Sequence, residues 1–284
     1  MPDEATTAQK APATEPAPTT GEVLRVEHIA KSYGPITALR DVNLHLGKGE
    51  VLGLVGDNGS GKSTLMKTIC GFQKSDTGRM FLRGEPYEPR SVDHARSLGV
   101  DAVYQDLALV DELSVYQNLF LRREHLFPAL QLVHNRRMRR EARAALDQIG
   151  INIPDLNAPV ARLSGGQRQA IAVARAIHQQ ADIILLDEPL AAMGAKEGAL
   201  ILDLIQRLKD EGNVSLIIVA HNYVQVLQIC DRVNLLQNGA ISFDKPTAET
   251  SLEELNEIVV EEYRRARAAL GNGAPAAPQT ATRR

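Results

Sequence analysis

The stretch GDNGSGKS, residues 56–63, constrains this chain more than any other. It fits G-x-x-x-x-G-K-[ST] at Gly56, Gly61, Lys62 and Ser63. The apolar run VLGLV (51–55) leads into it, and helix-forming text, KSTLMKTIC, leads out. Strand, glycine loop and helix in that order form the context in which such a loop holds phosphate. Glycines let successive backbone N–H groups turn inward on an anion, and the helix N-terminus adds positive potential. Lys62 is then placed for the β- and γ-phosphates of a nucleotide, and the Ser63 hydroxyl for Mg²⁺. A glycine turn that binds nothing is the bland alternative, and the flanking strand and helix argue against it.

The rest of the chain reads as a scaffold for that loop. IILL (183–186) and SLIIVA (215–220) are short, continuous apolar runs that suit strands buried on both faces of a parallel sheet. Between them GALILDLIQRLKDEG reads as a helix, with Leu200, Leu204, Ile205 and Leu208 on one face and Gly212 as its stop. Such alternation predicts an α/β core. Ahead of it, Val42, Leu44 and Leu46 alternate with Asn43 and His45, as in a half-buried antiparallel strand. RMFLRGEP (79–86) is another short strand ending in a turn. Between about Leu107 and Leu163 the strand signal vanishes. RRMRREARAALDQIG there is amphipathic, with Met138, Ala142, Ala145 and Ile149 on one side. RVNLLQNGAISF predicts a hairpin turning at Asn238-Gly239, and SLEELNEIVVEEYRRARAAL a final helix opened by a Ser251/Glu254 capping box.

The predicted fold class is therefore α/β: a P-loop NTPase core with a parallel sheet, an N-terminal antiparallel β subdomain and an inserted α-helical subdomain. The folded domain is expected over 22–270, with the insertion at about 107–163. The Ala/Thr/Pro-rich ends, 1–21 and 271–284, are expected to be disordered tails, because neither can bury enough apolar surface to offset its ordering entropy.

Composition excludes some functions. No run approaches 18 consecutive apolar residues, so no segment reads as a membrane span. The net charge of −3 is not the footprint of a nucleic-acid binder, and no nucleic-acid partner is expected. The basic run RRMRRE (136–141) reads as the solvated face of an amphipathic helix rather than a site for DNA or anionic lipid. Cys70 and Cys230 lie in apolar, helix-like text and read as buried free thiols, which suits a reducing compartment.

IILLDEP places Asp187 and Glu188 just past an apolar strand, where ligands of open α/β sheets bind. Asp187 can hold Mg²⁺, usually through water, and Glu188 can orient or deprotonate an attacking water. Gln105 follows VDAVY and His221 follows SLIIVA. Alone, a glutamine or histidine after a strand says little. Four strands delivering Gly56, Gln105, Asp187/Glu188 and His221 to one edge is the convergence that a nucleotide site requires.

On these residues the chain resembles the ATP-binding cassette (ABC) ATPases over nearly all of its folded part. GDNGSGKST looks like the Walker A loop, so that Gly56, Asp57, Asn58, Gly59, Ser60, Gly61, Lys62, Ser63 and Thr64 would cradle the phosphates of ATP. LSGGQRQ (163–169) looks like the family signature and IILLDEP like Walker B. Gln105 matches the Q-loop glutamine, His221 the switch histidine, and Tyr33 the aromatic that stacks on adenine. The resemblance implies Glu188, His221 and Gln105 as catalytic residues and Ser63, Gln105 and Asp187 around Mg²⁺. It also implies a head-to-tail homodimer, in which Ser164, Gly165, Gly166 and Gln167 of one subunit close on the γ-phosphate held by the other subunit's Lys62. One departure is Leu190 and Gly194, where many members carry Ser or Thr and an aspartate. AVYQDLALVDELSVYQNLFLRRE resembles the single-cassette members of the carbohydrate-uptake class, which serve monosaccharides such as fructose or ribose.

The implied function is the ATP-hydrolysing subunit of a transporter. It would sit peripherally on the cytoplasmic face of the cell membrane, docked to a transmembrane permease through the Gln105 loop and the helical insertion, and served indirectly by a solute-binding protein. An efflux cassette, or a soluble non-transport cassette acting on DNA or ribosomes, would use the same chemistry.

Overall fold

A computed structural model describes residues 21–271 except 128–130 and 192. The expected tails lie outside the described residues apart from Gly21 and Gly271. The chain opens with a long antiparallel hairpin, β1 (Glu22–Tyr33) and β2 (Ile36–Gly47). Strand β3 (Val51–Val55) runs through the glycine loop into α1 (Lys62–Ile69). Strands β4 (Thr77–Leu82) and β5 (Glu85–Pro86) extend the antiparallel part beside β1. Helix α2 (Val92–Ser97), β6 (Val100–Val103), α3 (Val115–Leu119), α4 (Asn135–Gln148) and α5 (Gly165–His178) follow. The chain then alternates β7 (Ile183–Asp187), α6 (Ala195–Glu211), β8 (Ser215–Ala220) and α7 (Tyr223–Ile229). It closes with β9 (Arg232–Gln237), β10 (Ala240–Pro246) and α8 (Leu252–Gly271).

The ten strands among the described residues belong to one sheet, in the order β5-β4-β1-β2-β10-β9-β3-β8-β7-β6. The five from β9 to β6 are mutually parallel. Strand β10 links the two parts: it pairs antiparallel with β9 and, through one parallel pairing of Ala240 with Asp41, with β2, so they share a continuous sheet. Strand β3 shows why its sequence is unbroken apolar text. Val51 and Val55 face one core and Leu52 and Leu54 the other, so both faces are covered. In β2, by contrast, Val42, Leu44 and Leu46 are buried while Asn43 and His45 are exposed.

The predicted turn at Asn238-Gly239 forms, with φ of 48° and 77°, the left-handed pair that a two-residue hairpin needs. It also supports the phosphate loop, since the Gly239 N–H donates to the Ser60 carbonyl at 3.1 Å. Helix α6 ends at Gly212 with φ 63°, as its sequence predicts. Its buried face is Ile201, Leu204, Ile205 and Leu208, each worth about 1.5–3 kcal/mol. Leu200 is only partly buried, beside that stripe.

Three other expectations need correction. On α4 the buried stripe is Met138, Ala142 and Leu146, continued by Ile149 just past its end, while Ala145 sits at the edge. Spacing of four, then three, follows the 3.6-residue turn, which carries residue 145 round the side. The region 107–163 contains no named strand among its described residues, but it does hold two isolated bridges, Ser114 with Pro159 and Leu126 with Val133. At the start of α8 the capping box is half formed: Ser251 Oγ accepts from the Glu254 N–H at 3.1 Å, while the Glu254 carboxylate turns away to Lys245. Both cysteines are buried free thiols, and burial pushes Cys230 up to about 12 and Cys70 higher still, so neither is reactive at neutral pH.

Candidate active site

Parallel strands all end on the same edge, and the register shows which residues meet there. Val55 pairs with Ala220, Asp187 with Val219, and Val103 with Leu186. One step beyond the strand ends, Gly56 is level with His221 and Glu188 with Ala220, while Gln105 follows β6 by two residues.

The glycine loop between β3 and α1 is held in a shape that side chains would prevent. Gly56, Gly59 and Gly61 have φ of 148°, 84° and 112°. A Cβ on Gly56 would lie 2.2 Å from the Leu236 carbonyl oxygen, and one on Gly61 would lie 2.5 Å from that of Ala38. Helix α1 starts at Lys62 with no side-chain cap and no acidic residue in its first turn. Its first N–H groups are left for an outside acceptor, which makes an anion seat. The buried Lys62 ammonium donates to the carbonyls of Gly56 (2.7 Å) and Asp57 (2.9 Å). Burial lowers its pKa, opposed by the charges of Glu188, Asp57 and Asp187. Asp57, Asn58 and Gly59 are exposed at the rim, Ser63 is exposed on the first turn, and Thr64 is half-buried behind it. Ser60 Oγ is buried without a partner.

Across the edge, Glu188 adopts φ 49°, a left-handed conformation uncommon for a residue with a side chain. Its N–H is held by the Val219 carbonyl at 2.9 Å, and its Oε1 lies 3.4 Å from His221 Nδ1. These two side chains border a cavity of about 160 Å³, to which Leu190, Asn222 and Gln225 also contribute. Gln105 is exposed two residues past β6. Tyr33 ends β1, and its hydroxyl donates to Gln73 Oε1. Gln73 in turn donates to the Thr64 carbonyl at 3.1 Å, tying the exposed aromatic ring to α1.

Ser164, Gly165, Gly166 and Gln167 stand apart from this edge. They open α5, where Ser164 and Gln167 form a capping box. Gly166 packs on α6, where an added Cβ would come within 3.1 Å of Glu197. No hydrogen bond or ion pair joins residues 164–167 to the glycine loop among the described residues. Gly194 caps α6 in open space, and Leu190 packs partly against the core.

Sequence motifs passed over Gln73, Asn222 and Gln225. Gln73 lies in the loop after α1, Asn222 caps α7 and Gln225 sits in the first turn of α7, and only position in space gives each a role.

Asp187, at the end of β7, has a pKa raised by burial and then by Glu188, against the pull of Lys62 and Lys67. A carboxyl group whose folded pKa exceeds its unfolded value adds stability below the unfolded value and loses it as pH rises through the folded one. Ionised Asp187 therefore costs stability at neutral pH. Asp187→Asn is expected to raise the Tm of the nucleotide-free protein by roughly a degree or two near pH 7. The gain should shrink as pH falls below the unfolded value of about 3.9, where the carboxyl is increasingly neutral in both states. A gain that did not change with pH would refute the assignment. The same donor set suits Mg²⁺. That ion takes one or two carboxylates and completes its shell with water and phosphate oxygens. Here Asp187 lies within electrostatic reach of Lys62, the residue before Ser63, and no cluster of three or more His, Cys, Asp or Glu occurs among the described residues.

An uncapped glycine-loop helix, a buried lysine and an acidic strand end opposite define a P-loop nucleotide hydrolase. Comparison with known proteins narrows this class. The ABC transporter family model matches residues 39–191. The xylose/arabinose import ATP-binding protein of Sulfolobus acidocaldarius is 42% identical over 238 residues, covering 84% of this chain and 94% of that protein. The ribose import ATP-binding protein of Hahella chejuensis is 36% identical over 84% of this chain, which spans 47% of that longer protein. Among solved structures, an ATP-binding cassette of an ABC transporter superposes with a TM-score of 0.74 at 27% identity, covering 86% of this chain and 99% of that one. A dimeric cassette in a post-hydrolysis state, bound to ADP and phosphate, gives 0.66 at 25% identity, with 79% and 98% coverage. The chain belongs to the ABC transporter family, as its ATP-binding, ATP-hydrolysing cassette.

Proposed function

We propose that the chain powers import of a monosaccharide, hydrolysing ATP between two copies placed head to tail beneath a separate membrane permease. One observation carries the two-copy reading. The glycine loop, Lys62, Asp187, Glu188 and His221 gather on one edge, while Ser164–Gly166 opens α5 with no hydrogen bond or ion pair to them among the described residues. A site whose signature half lies elsewhere on the same chain needs a second chain to complete it. The dimeric cassette bound to ADP and phosphate supports that arrangement.

In this reading the loop N–H groups and Lys62 hold the phosphates, with Tyr33 against the base. Asp57, Asn58, Gly59, Ser60 and Thr64 shape the cradle. Ser63, Asp187 and Gln105 would hold Mg²⁺, which when bound would neutralise charge on the phosphates. Glu188 accepts a proton from the attacking water, and His221, 3.4 Å away, orients it and the γ-phosphate. Ser164 Oγ already accepts from the Gln167 N–H at 3.3 Å, so its own O–H remains free to donate to the partner's nucleotide. Such bonds to a charged acceptor are worth about 1.5–3 kcal/mol each. They reward closure only while the γ-phosphate is present.

The names of the sugar-import relatives favour import over efflux or a non-transport role, and a solute-binding protein would then supply the sugar. No described helix is long and apolar enough to cross a membrane. The test is purification of the tagged chain from membranes. A co-purifying transmembrane protein that raises ATPase activity when sugar and a solute-binding protein are added is the expected result. Recovery with DNA or ribosomes instead would overturn the proposal.

A further inference from the structure

Of the eleven large apolar side chains that the described residues leave exposed, four fall within residues 126–133: Leu126, Phe127, Leu132 and Val133. They sit on a small hairpin between α3 and α4. Its rungs are the Leu126–Val133 bridge, the Phe127 N–H to the Leu132 carbonyl (2.8 Å), and the His134 N–H to the His125 carbonyl (2.7 Å). The hairpin is braced at its base. His125 Nε2 lies 2.6 Å from a Glu141 oxygen, and the Phe127 ring stacks on His134 at 4.0 Å. Apolar side chains held outward on a braced element form a patch that wants covering.

The surrounding charge says what would cover it. Residues 121–143 contain seven arginines and two glutamates, in a chain whose net charge is −3. Arg122, Arg123, Arg136, Arg137, Arg139 and Arg140 are all exposed. Arg137 is paired with Glu141 and Arg122 with Asp93. Arg136 and Arg140 have no carboxylate partner among the described residues. Sequence alone reads 136–141 as a solvated helix face. The fold places an exposed apolar hairpin directly before that face, and an apolar tip with an arginine belt matches an anionic bilayer surface. Arg122 and Arg123 also line a cavity of about 410 Å³ with Ala108, three residues past Gln105, so the belt continues from the expected permease-docking side.

We propose that the two arms of this hairpin, residues 124–127 and 131–134, with the arginines of the first turns of α4, are a membrane-contact element that engages anionic lipid headgroups. It rests on the reading above only in placing the chain at a membrane. The test uses the full chain and flotation with vesicles of phosphatidylcholine, alone or mixed with phosphatidylglycerol. Binding to the mixed vesicles is expected, and it should fall sharply between about 0.1 M and about 1 M salt, as the Debye length shrinks from about 10 Å to about 3 Å. Arg136→Glu with Arg140→Glu should lower vesicle partitioning by roughly thirtyfold or more. Leu126→Ser with Leu132→Ser should lower it roughly tenfold, while Lys48→Glu, an exposed charge elsewhere, should leave it unchanged. Tm and ATPase rate, measured on every variant, separate misfolding from lost contact. Absence of binding to anionic vesicles, or undiminished binding by the arginine pair, would overturn the proposal. So would variants that lose only permease co-purification in detergent, which would make the occupant a protein. None of these outcomes touches the ATPase reading, which fails only if the wild-type chain does not hydrolyse ATP.

Discussion

Glu188→Gln is expected to bind nucleotide as the native chain does and to turn over about 10²–10⁴ times more slowly, the usual worth of a positioned general base. The argument is local. The Glu188 backbone is anchored at φ 49° by the bond to the Val219 carbonyl, neither of which depends on the side-chain charge. Glutamine keeps the shape and can still lie beside His221, but it cannot accept the proton of the attacking water. Lys62, the uncapped α1 terminus and Asp187 are untouched, so binding remains. With the γ-phosphate never cleaved, the two-chain state should persist. Size-exclusion chromatography with ATP and Mg²⁺ should show a dimer for this variant and a monomer–dimer mixture for the native chain. A turnover rate near native would remove Glu188 from its role.

Ser164→Arg is expected to leave nucleotide affinity of the monomer within about twofold and to lower turnover by about 10²–10³, with the Hill coefficient falling to one. Loss of one or two bonds to a charged acceptor, at about 1.5–3 kcal/mol each, gives that magnitude. The arginine also removes the cap on α5, at a cost of about 1 kcal/mol in folding stability. Ser164→Thr controls for the cap, since threonine still accepts from the Gln167 N–H and still donates. It should recover both stability and cooperativity. Titration of a nucleotide analogue by fluorescence, beside steady-state ATPase assays, separates the outcomes. Undiminished cooperativity in the arginine variant would sink the two-chain site.

Much of the active edge was legible because its logic is local in sequence. A phosphate loop is a strand, glycines and a helix start in unbroken succession, and parallel strands must all end on one side of the sheet. The strand ends that carry Gly56, Asp187, Glu188 and His221 could therefore be placed on one edge from their positions after apolar runs. The stripe on α4 was legible to within one residue, Leu146 replacing Ala145. Contacts between segments distant in the chain were not legible. Gln73 bridges Tyr33 and Thr64 through bonds spanning 40 and 9 residues, and no periodicity encodes them. The Leu126–Val133 bridge hid inside text that reads as helical because its rungs are too few to show an alternating pattern.

The linear order of residues was enough to determine the strand–loop–helix unit, the buried parallel core and the family, since each depends on neighbours within a turn or a strand. Only the tertiary structure decided that the antiparallel strands join the core through Ala240 and Asp41, that α5 holds Ser164–Gly166 away from the glycine loop, and that apolar side chains stand exposed beside the arginines of α4. The reason is physical: helix and strand patterns arise from bonds and packing between near neighbours. Which surfaces meet and which stay uncovered depends on how whole elements fill space, and no short stretch of sequence contains that information.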